Sequence, residues 1–235
     1  VNTDTFQISP LGYISTPFAD KFGIPRQPRL APHAVGTLSL LPPYDRSEAV
    51  RELVSFSHVW LTFVFHQTQG KWQPTVRPPR LGGNARVGVF ASRSPFRPNS
   101  LGLSLVELAG VDTDDGVVLR FRGVDLVDGT PIVDIKPYLP YAESVPDAAG
   151  GFADASPPRL AVHYGEQALA QLAVAAPGHP QLAALIDEVL AQDPRPAYAD
   201  DPARSYGVRL YCYDVKFRVA DGIARVDAIE PAGST

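Results

Sequence analysis

Residues 57–67 read SHVWLTFVFHQ, and their alternation decides the fold class. In an extended chain successive side chains point to opposite faces. His58, Trp60, Thr62, Val64 and His66 then share one face, and Val59, Leu61, Phe63, Phe65 and Gln67 the other. Both faces are largely apolar, which predicts a central, buried strand. The polar pair His66-Gln67 falls where the strand ends, a common place for a ligand contact.

Working outward, the first ~140 residues repeat this texture. Short strands are predicted at 6–14, 36–41, 87–91, 101–108, 117–123 and 132–135, separated by Pro and Gly. Only 47–54 is expected to be helical there, with Ala49, Val50, Leu53 and Val54 at helical spacing and Ser47 as N-cap. Many short strands with turn signals point to a closed or nearly closed barrel. After Tyr141 the composition changes. Residues 144–158, rich in Ala, Gly, Pro, Asp and Ser, read as a linker. Helices are expected at 166–176 and 180–192, the second stopped by DPRPAY (193–198), because proline cannot continue a helix. Strands at 206–219 and 223–229 flank Asp221-Gly222, a hairpin signal. The expected organisation is mainly β: a barrel domain over 1–145, a linker over 146–158 and a small α+β domain over 159–235.

The chain has 235 residues, 45% hydrophobic and 20% charged, an ordinary globular composition. No apolar run approaches the roughly 18–20 residues that span a bilayer, so no membrane association is expected. No basic-then-apolar leader is visible, although the chain opens at Val1 and contains no Met, which leaves its true start open. A single cysteine, Cys212, excludes an internal disulfide and every paired-Cys metal site. The five histidines are scattered, so no metal is expected, and a cytoplasmic protein is the simplest reading. Net charge is −4, but residues 1–110 carry +5 and residues 111–235 carry −9. Lys71, Arg77, Arg80, Arg86, Arg93 and Arg97 follow one another with no acid among them. Such a field suits phosphates or another anion, and arginine is the fork-shaped reader of both phosphate and carboxylate.

Three segments stand out as chemistry. KFGIPRQPRL (21–30) is stiffened by Pro25 and Pro28 and projects Arg26, Gln27 and Arg29. PRLGGNARVGVFASRSPFRPNS (79–100) combines glycines, which let backbone approach a ligand, with a proline-shaped loop presenting Arg93, Arg97, Ser92, Ser94 and Asn99 beside Phe90 and Phe96. DLVDGTPIVDIKPYLPYAE (125–143) opens on the turn Asp128-Gly129-Thr130-Pro131 and then alternates Asp134, Lys136 and Tyr138. An acid, an ammonium and a phenol on one face of a buried strand are costly unless paired or functional. No G-x-G-x-x-G, P-loop or G-x-S-x-G pattern is present, which argues against Rossmann, phosphoryl-transfer and serine-hydrolase chemistry.

These segments, with FSHVWLTFVFHQT (56–68) and LAQDPRPAY (190–198), resemble the TrmO family, also described as YaeB-like or TsaA-like. The resemblance runs in order over nearly the whole chain. It implies a single-sheet β-barrel methyltransferase that uses S-adenosylmethionine. It also implies methylation of N6 of N6-threonylcarbamoyladenosine at tRNA position 37, with threonine tRNA as substrate, by a homodimer whose cofactor site lies near the dimer interface. The implied cofactor residues are Pro25, Arg26, Gln27, His66, Gln67, Arg93, Leu103, Asp128, Gly129, Thr130 and Pro131. The N6 lone pair is delocalised, so a nearby acceptor must orient or remove its proton. Asp134 or Asp128 is the expected acceptor, with Lys136 and Tyr138 orienting the base or its threonyl carboxylate. Arg80, Arg86 and Arg97, with Arg93, would meet tRNA phosphates or that carboxylate, and Phe96 or Tyr138 would stack on a base splayed out of the anticodon loop. The readings from other classes are a non-enzymatic RNA-binding barrel and a methyltransferase of the same fold acting on a small molecule.

Overall fold

A computed structural model describes residues 4–196 and 201–233. Six strands close a barrel: β1 (Gly12–Ser15), β2 (Val35–Leu40), β3 (His58–Val64), β6 (Leu101–Asp112), β7 (Val118–Arg122) and β8 (Thr130–Pro137), with the short hairpin of β4 (Thr75–Val76) and β5 (Val87–Gly88) outside it. The order around the barrel is β1-β2-β7-β6-β3-β8, closed by β8 on β1, and every pair is antiparallel. As predicted, β3 is central, paired with β6 on one side and β8 on the other. Its two faces are unequal. Val59, Leu61 and Phe63 point into the core, where they meet Ile14, Leu38 and Ile132. His58, Trp60 and Thr62 form part of a half-exposed outer wall.

Closure sets limits on side-chain size. A Cβ on Gly102 would lie 2.2 Å from Phe63 Cζ, so the register that pairs these two residues needs a glycine. β8 carries a bulge opposite Thr62 and Phe63 that leaves Val133 without a direct partner. It keeps Ile132 and Ile135 inward and Asp134 and Lys136 outward.

Beyond the barrel come the short helix α1 (Pro140–Glu143), β9 (Ala161–Tyr164), α2 (Glu166–Ala175), α3 (Leu182–Ala191) and the strands β10 (Tyr206–Leu210), β11 (Tyr213–Ala220) and β12 (Ile223–Pro231). The second sheet has the order β10-β11-β12-β9, with β9 parallel to β12. Leu182, Leu185, Ile186, Val189 and Leu190 of α3 are buried, one apolar stripe at helical spacing. The hydrophobic core runs without a break from the barrel into this layer.

Several expectations are corrected. Residues 47–54 form two 3₁₀ turns, Ser47–Val50 and Leu53–Ser55, because Glu52 adopts φ 65° and breaks the helical path. The first strand begins at Gly12, not at residue 6, and Phe6 and Ile8 are exposed. The extension through 87–91 is a two-residue strand followed by a 3₁₀ turn. The span 206–219 is two strands, because Tyr211 takes φ 54° and reverses the chain. The parallel strand β9 was not predicted. Residues 197 and 198 of the DPRPAY run lie outside the described residues.

Candidate active site

The antiparallel pairing fixes which end of the barrel each connection occupies. β1, β3 and β7 finish at one end, and β2, β6 and β8 begin there. The connections 16–34, 65–100 and 123–129 therefore all emerge at this end. Between them they carry Pro25-Arg26-Gln27, His66-Gln67, Arg93 with its flanking serines, and the Asp128-Gly129 turn that leads into Thr130 and Pro131 at the start of β8. The turns at the opposite end carry none of these residues.

Two of the connections touch directly. The Arg93 guanidinium donates to Gln27 Oε1. Around this contact lies a cleft of about 1090 Å³, at the upper end of the size of small-molecule sites. Arg26, Arg77, Arg80, Arg86 and Arg93 line it, together with Phe90 and Phe96. No acidic side chain does so among the described residues. Gly150, Phe152, Ala153 and Pro157 also line it, so the stretch read as a linker forms one wall. Arg97 behaves differently from its neighbours. Its Nη1 donates to Ser92 O at 2.7 Å and Val89 O at 3.3 Å, and its guanidinium lies 5.9 Å from the Phe90 ring centre. It braces the loop from inside, whereas Arg80 and Arg86 face the cleft.

The Asp128 turn is held to β1. Asp128 Oδ1 accepts from Thr16 N at 2.8 Å, and Thr130 Oγ1 donates to Val127 O at 2.7 Å. Nearby, Ser104 Oγ donates to Asp125 Oδ1 at 2.6 Å. Burial pushes the Asp125 carboxyl up to about 6, against the opposing pull of the Ser104 hydroxyl and the Arg93 charge. Asp125 was not singled out from sequence. It begins the DLVDGTP run, but its buried partner lies on another strand.

Asp134, Lys136 and Tyr138 were expected on a buried face, and the structure corrects this. They project from the outer wall of β8, with the Asp134 and Lys136 side chains 45% and 68% exposed. The bulge turns them outward, and only a side chain turned inward reaches the barrel core. Lys136 Nζ is ion-paired with Asp134 Oδ2, and Asp134 Oδ1 accepts from Ile135 N at 2.9 Å. Tyr138 packs edge-on to Trp60 at 6.2 Å, and Trp60 Nε1 donates to Glu143 Oε2 at 2.9 Å. Leu103, 54% exposed, stands on the same wall. It pairs with Thr62, which pairs in turn with Asp134. Two strand spacings place Leu103 and Asp134 roughly 10 Å apart. The predicted residues thus form two groups: the arginine-lined cleft at the barrel rim, and the outer wall of β6, β3 and β8 that runs down from it.

Among the described residues no helix is long and apolar enough to cross a membrane, and no group of three His, Cys, Asp or Glu side chains is placed to hold a metal. Residues 13–144 match the tRNA-methyltransferase O N-terminal domain family, and residues 157–232 match the TrmO C-terminal domain family. The tRNA (adenine(37)-N6)-methyltransferase of Escherichia coli is 52% identical over 232 residues, spanning 97% of this chain and 99% of that protein. A putative S-adenosylmethionine-dependent methyltransferase of Pseudomonas aeruginosa is 53% identical over 218 residues, 90% of this chain and 91% of that one. The crystal structure of TrmO from Pseudomonas aeruginosa has a TM-score of 0.84 at 44% identity, covering 99% of this chain and 100% of that one. Matched along both halves, and in fold as well as in sequence, the chain belongs to the TrmO family.

Proposed function

We propose that this chain methylates N6 of adenosine 37 in tRNA, that the base is N6-threonylcarbamoyladenosine, and that threonine tRNA is the substrate. The observation that carries the reading is the convergence of three connections at one end of a closed barrel, two of which, 16–34 and 65–100, line a cleft with five arginines. A relative 52% identical over nearly its full length bears the name of that activity. The catalytic unit is taken as residues 1–145, joined through 146–158 to the small α+β unit over 159–235.

S-adenosylmethionine fits the side chains gathered at the rim and wall. Leu101 and Leu103 offer exposed apolar surface beside the end of β3, where Gln67 presents an amide and His66 a ring. That combination suits an adenine, with a flat face against leucine and an edge toward polar groups. Asp128 and Arg93 bring opposite charges to the same end, as the ammonium and carboxylate of the methionyl part require. Pro25, Arg26, Gln27, Gly129, Thr130 and Pro131 supply backbone and side-chain polar groups around them. When bound, this cofactor supplies an electrophilic methyl group whose departure leaves a neutral thioether.

The remaining work falls to side chains. The arginines of the cleft hold phosphates and the threonyl carboxylate, which fixes the N6 nitrogen in line for attack. The carboxylate of Asp134 orients or accepts the N6 proton, while Lys136 keeps it in place and Tyr138 stacks on or hydrogen-bonds the base. Phe96 and Phe90 face the cleft as stacking surfaces for nucleotides splayed from the anticodon loop. Tyr13, exposed on the same outer wall as the leucines that face the cofactor, supports a homodimer whose second copy packs beside the cofactor site. A cytoplasmic location follows from a tRNA substrate. Nucleoside mass spectrometry of tRNA from a strain lacking the gene tests the reading. Loss of the methylated threonylcarbamoyl base, restored by this chain, is the expected result; unchanged tRNA would overturn it.

A further inference from the structure

The connection 16–34 is clamped to the second sheet and its helices. Tyr211 N donates to Pro17 O at 2.8 Å, and Gln192 Nε2 donates to Leu30 O at 3.4 Å. Gly23 packs so closely that a Cβ there would lie 2.1 Å from Val208 Cγ2. Arg26 Nη2 reaches across to Asp193 O at 3.4 Å. Behind this clamp lies a second cavity, of about 470 Å³. Its walls are apolar, with Phe22 and Ile24 on one side and Val189, Pro194 and Pro196 on the other. Its rim is cationic, with Lys21, Arg26 and Arg77, and no acidic side chain lines it among the described residues. Arg26, Arg77 and Pro79 line this cavity and the main cleft alike, so the two adjoin.

An apolar slot with a cationic lip fits a flat ring system that carries a negative charge at its edge. Continuity with the main cleft places such a ligand one step along the same strand. Single-stranded RNA is read in this way, by bases stacked in apolar pockets and phosphates held by cations. We infer that the cavity captures an unpaired nucleotide adjoining the methylated one, with its base between Phe22 and Pro196 and its phosphate at Lys21 and Arg77. The inference rests on the tRNA reading above. It gives the layer around α3 a part in choosing the substrate, through Val189, Pro194 and Pro196.

The test uses the full chain and anticodon stem-loops carrying the threonylcarbamoyl base, either intact or with one abasic site immediately 5′ or 3′ of it. The variants are Lys21→Glu and Pro196→Trp. Both positions are exposed, and both line this cavity and not the main cleft. Wild type is expected to bind one of the two abasic loops about tenfold more weakly than the intact loop, the size of a lost base stack. Pro196→Trp is expected to bind the intact loop about tenfold more weakly and to treat that abasic loop as equivalent to it. Lys21→Glu is expected to weaken all loops and flatten their salt dependence. Affinity for S-adenosylmethionine should stay unchanged in both variants. If wild type methylates the intact loop yet binds both abasic loops equally well, or if Pro196→Trp loses the same factor on the abasic loop as wild type, this inference fails alone. If wild type methylates no loop and no threonine tRNA, the tRNA reading itself falls.

Discussion

Ser104, on β6, donates its hydroxyl to Asp125 Oδ1 at 2.6 Å across the end of the barrel. Burial holds the Asp125 carboxyl at about 6, above the 3.8 of a free aspartate. A carboxyl raised in the folded state stabilises the fold fully below about 4 and loses that contribution as pH rises through about 6. The difference amounts to something on the order of 3 kcal/mol. Asp125→Asn should therefore raise the urea midpoint at pH 7.5 and leave it nearly unchanged at pH 4. Ser104→Ala removes the hydroxyl that opposes the shift, so it should move the midpoint of the pH dependence above that of wild type. Denaturation series across pH 4–8 read both effects, and a variant gain independent of pH would contradict the linkage.

Asp134→Asn and Lys136→Ala should reduce methylation while leaving affinity for S-adenosylmethionine within about twofold, because a proton acceptor acts in the transition state and not in cofactor binding. Calorimetry and single-turnover methylation separate the two. Equal loss of both would remove Asp134 and Lys136 from the proton chemistry and make them cofactor ligands.

Binding of tRNA should weaken steeply with salt through the cleft arginines. Arg80→Ala and Arg86→Ala should each flatten the salt dependence, whereas Arg97→Ala should destabilise the loop without changing the slope. Arg97 already donates to two carbonyls inside its own loop. Filter binding from low to high salt distinguishes them; a flat wild-type profile would sink the cleft as the tRNA surface.

Gly102→Ala should cost about 1–3 kcal/mol of stability, since the new methyl meets the Phe63 ring inside a closed barrel. Phe63→Leu in the same chain should recover part of it. Thermal melts of the single and double variants give the coupling, and additive losses would show that the two residues do not share one space.

The strand over 57–67 was legible because it is long, alternating and rich in β-branched and aromatic residues, all local signals. So were the apolar stripe of α3 and the turn at Asp221-Gly222. What the sequence hid has a common cause. The bulge at Val133 depends on the pairing of two strands far apart in sequence, and it turned Asp134 and Lys136 from an expected interior to the outer wall. The reversal at Tyr211 uses a left-handed conformation in a residue that rarely adopts one, so no turn residue marked it. Asp125 looked like any loop acid until closure brought Ser104 to it. The span 146–158 had the composition of a linker, and only tertiary placement made Phe152 part of the cleft. The motif segments were visible, but that they meet at one end follows only from the strand order.

The unequal ends of the barrel have a practical corollary. The β6–β7 turn, around the exposed Asp114, Asp115 and Gly116, lies at the end opposite the connections 16–34, 65–100 and 123–129. Reporter insertions, affinity tags or new termini made by circular permutation belong at that turn. There the sheet's register is already set on both sides, and a change of length leaves those three connections untouched. The architecture thus offers a handle for immobilising or labelling the protein away from its arginine-lined rim.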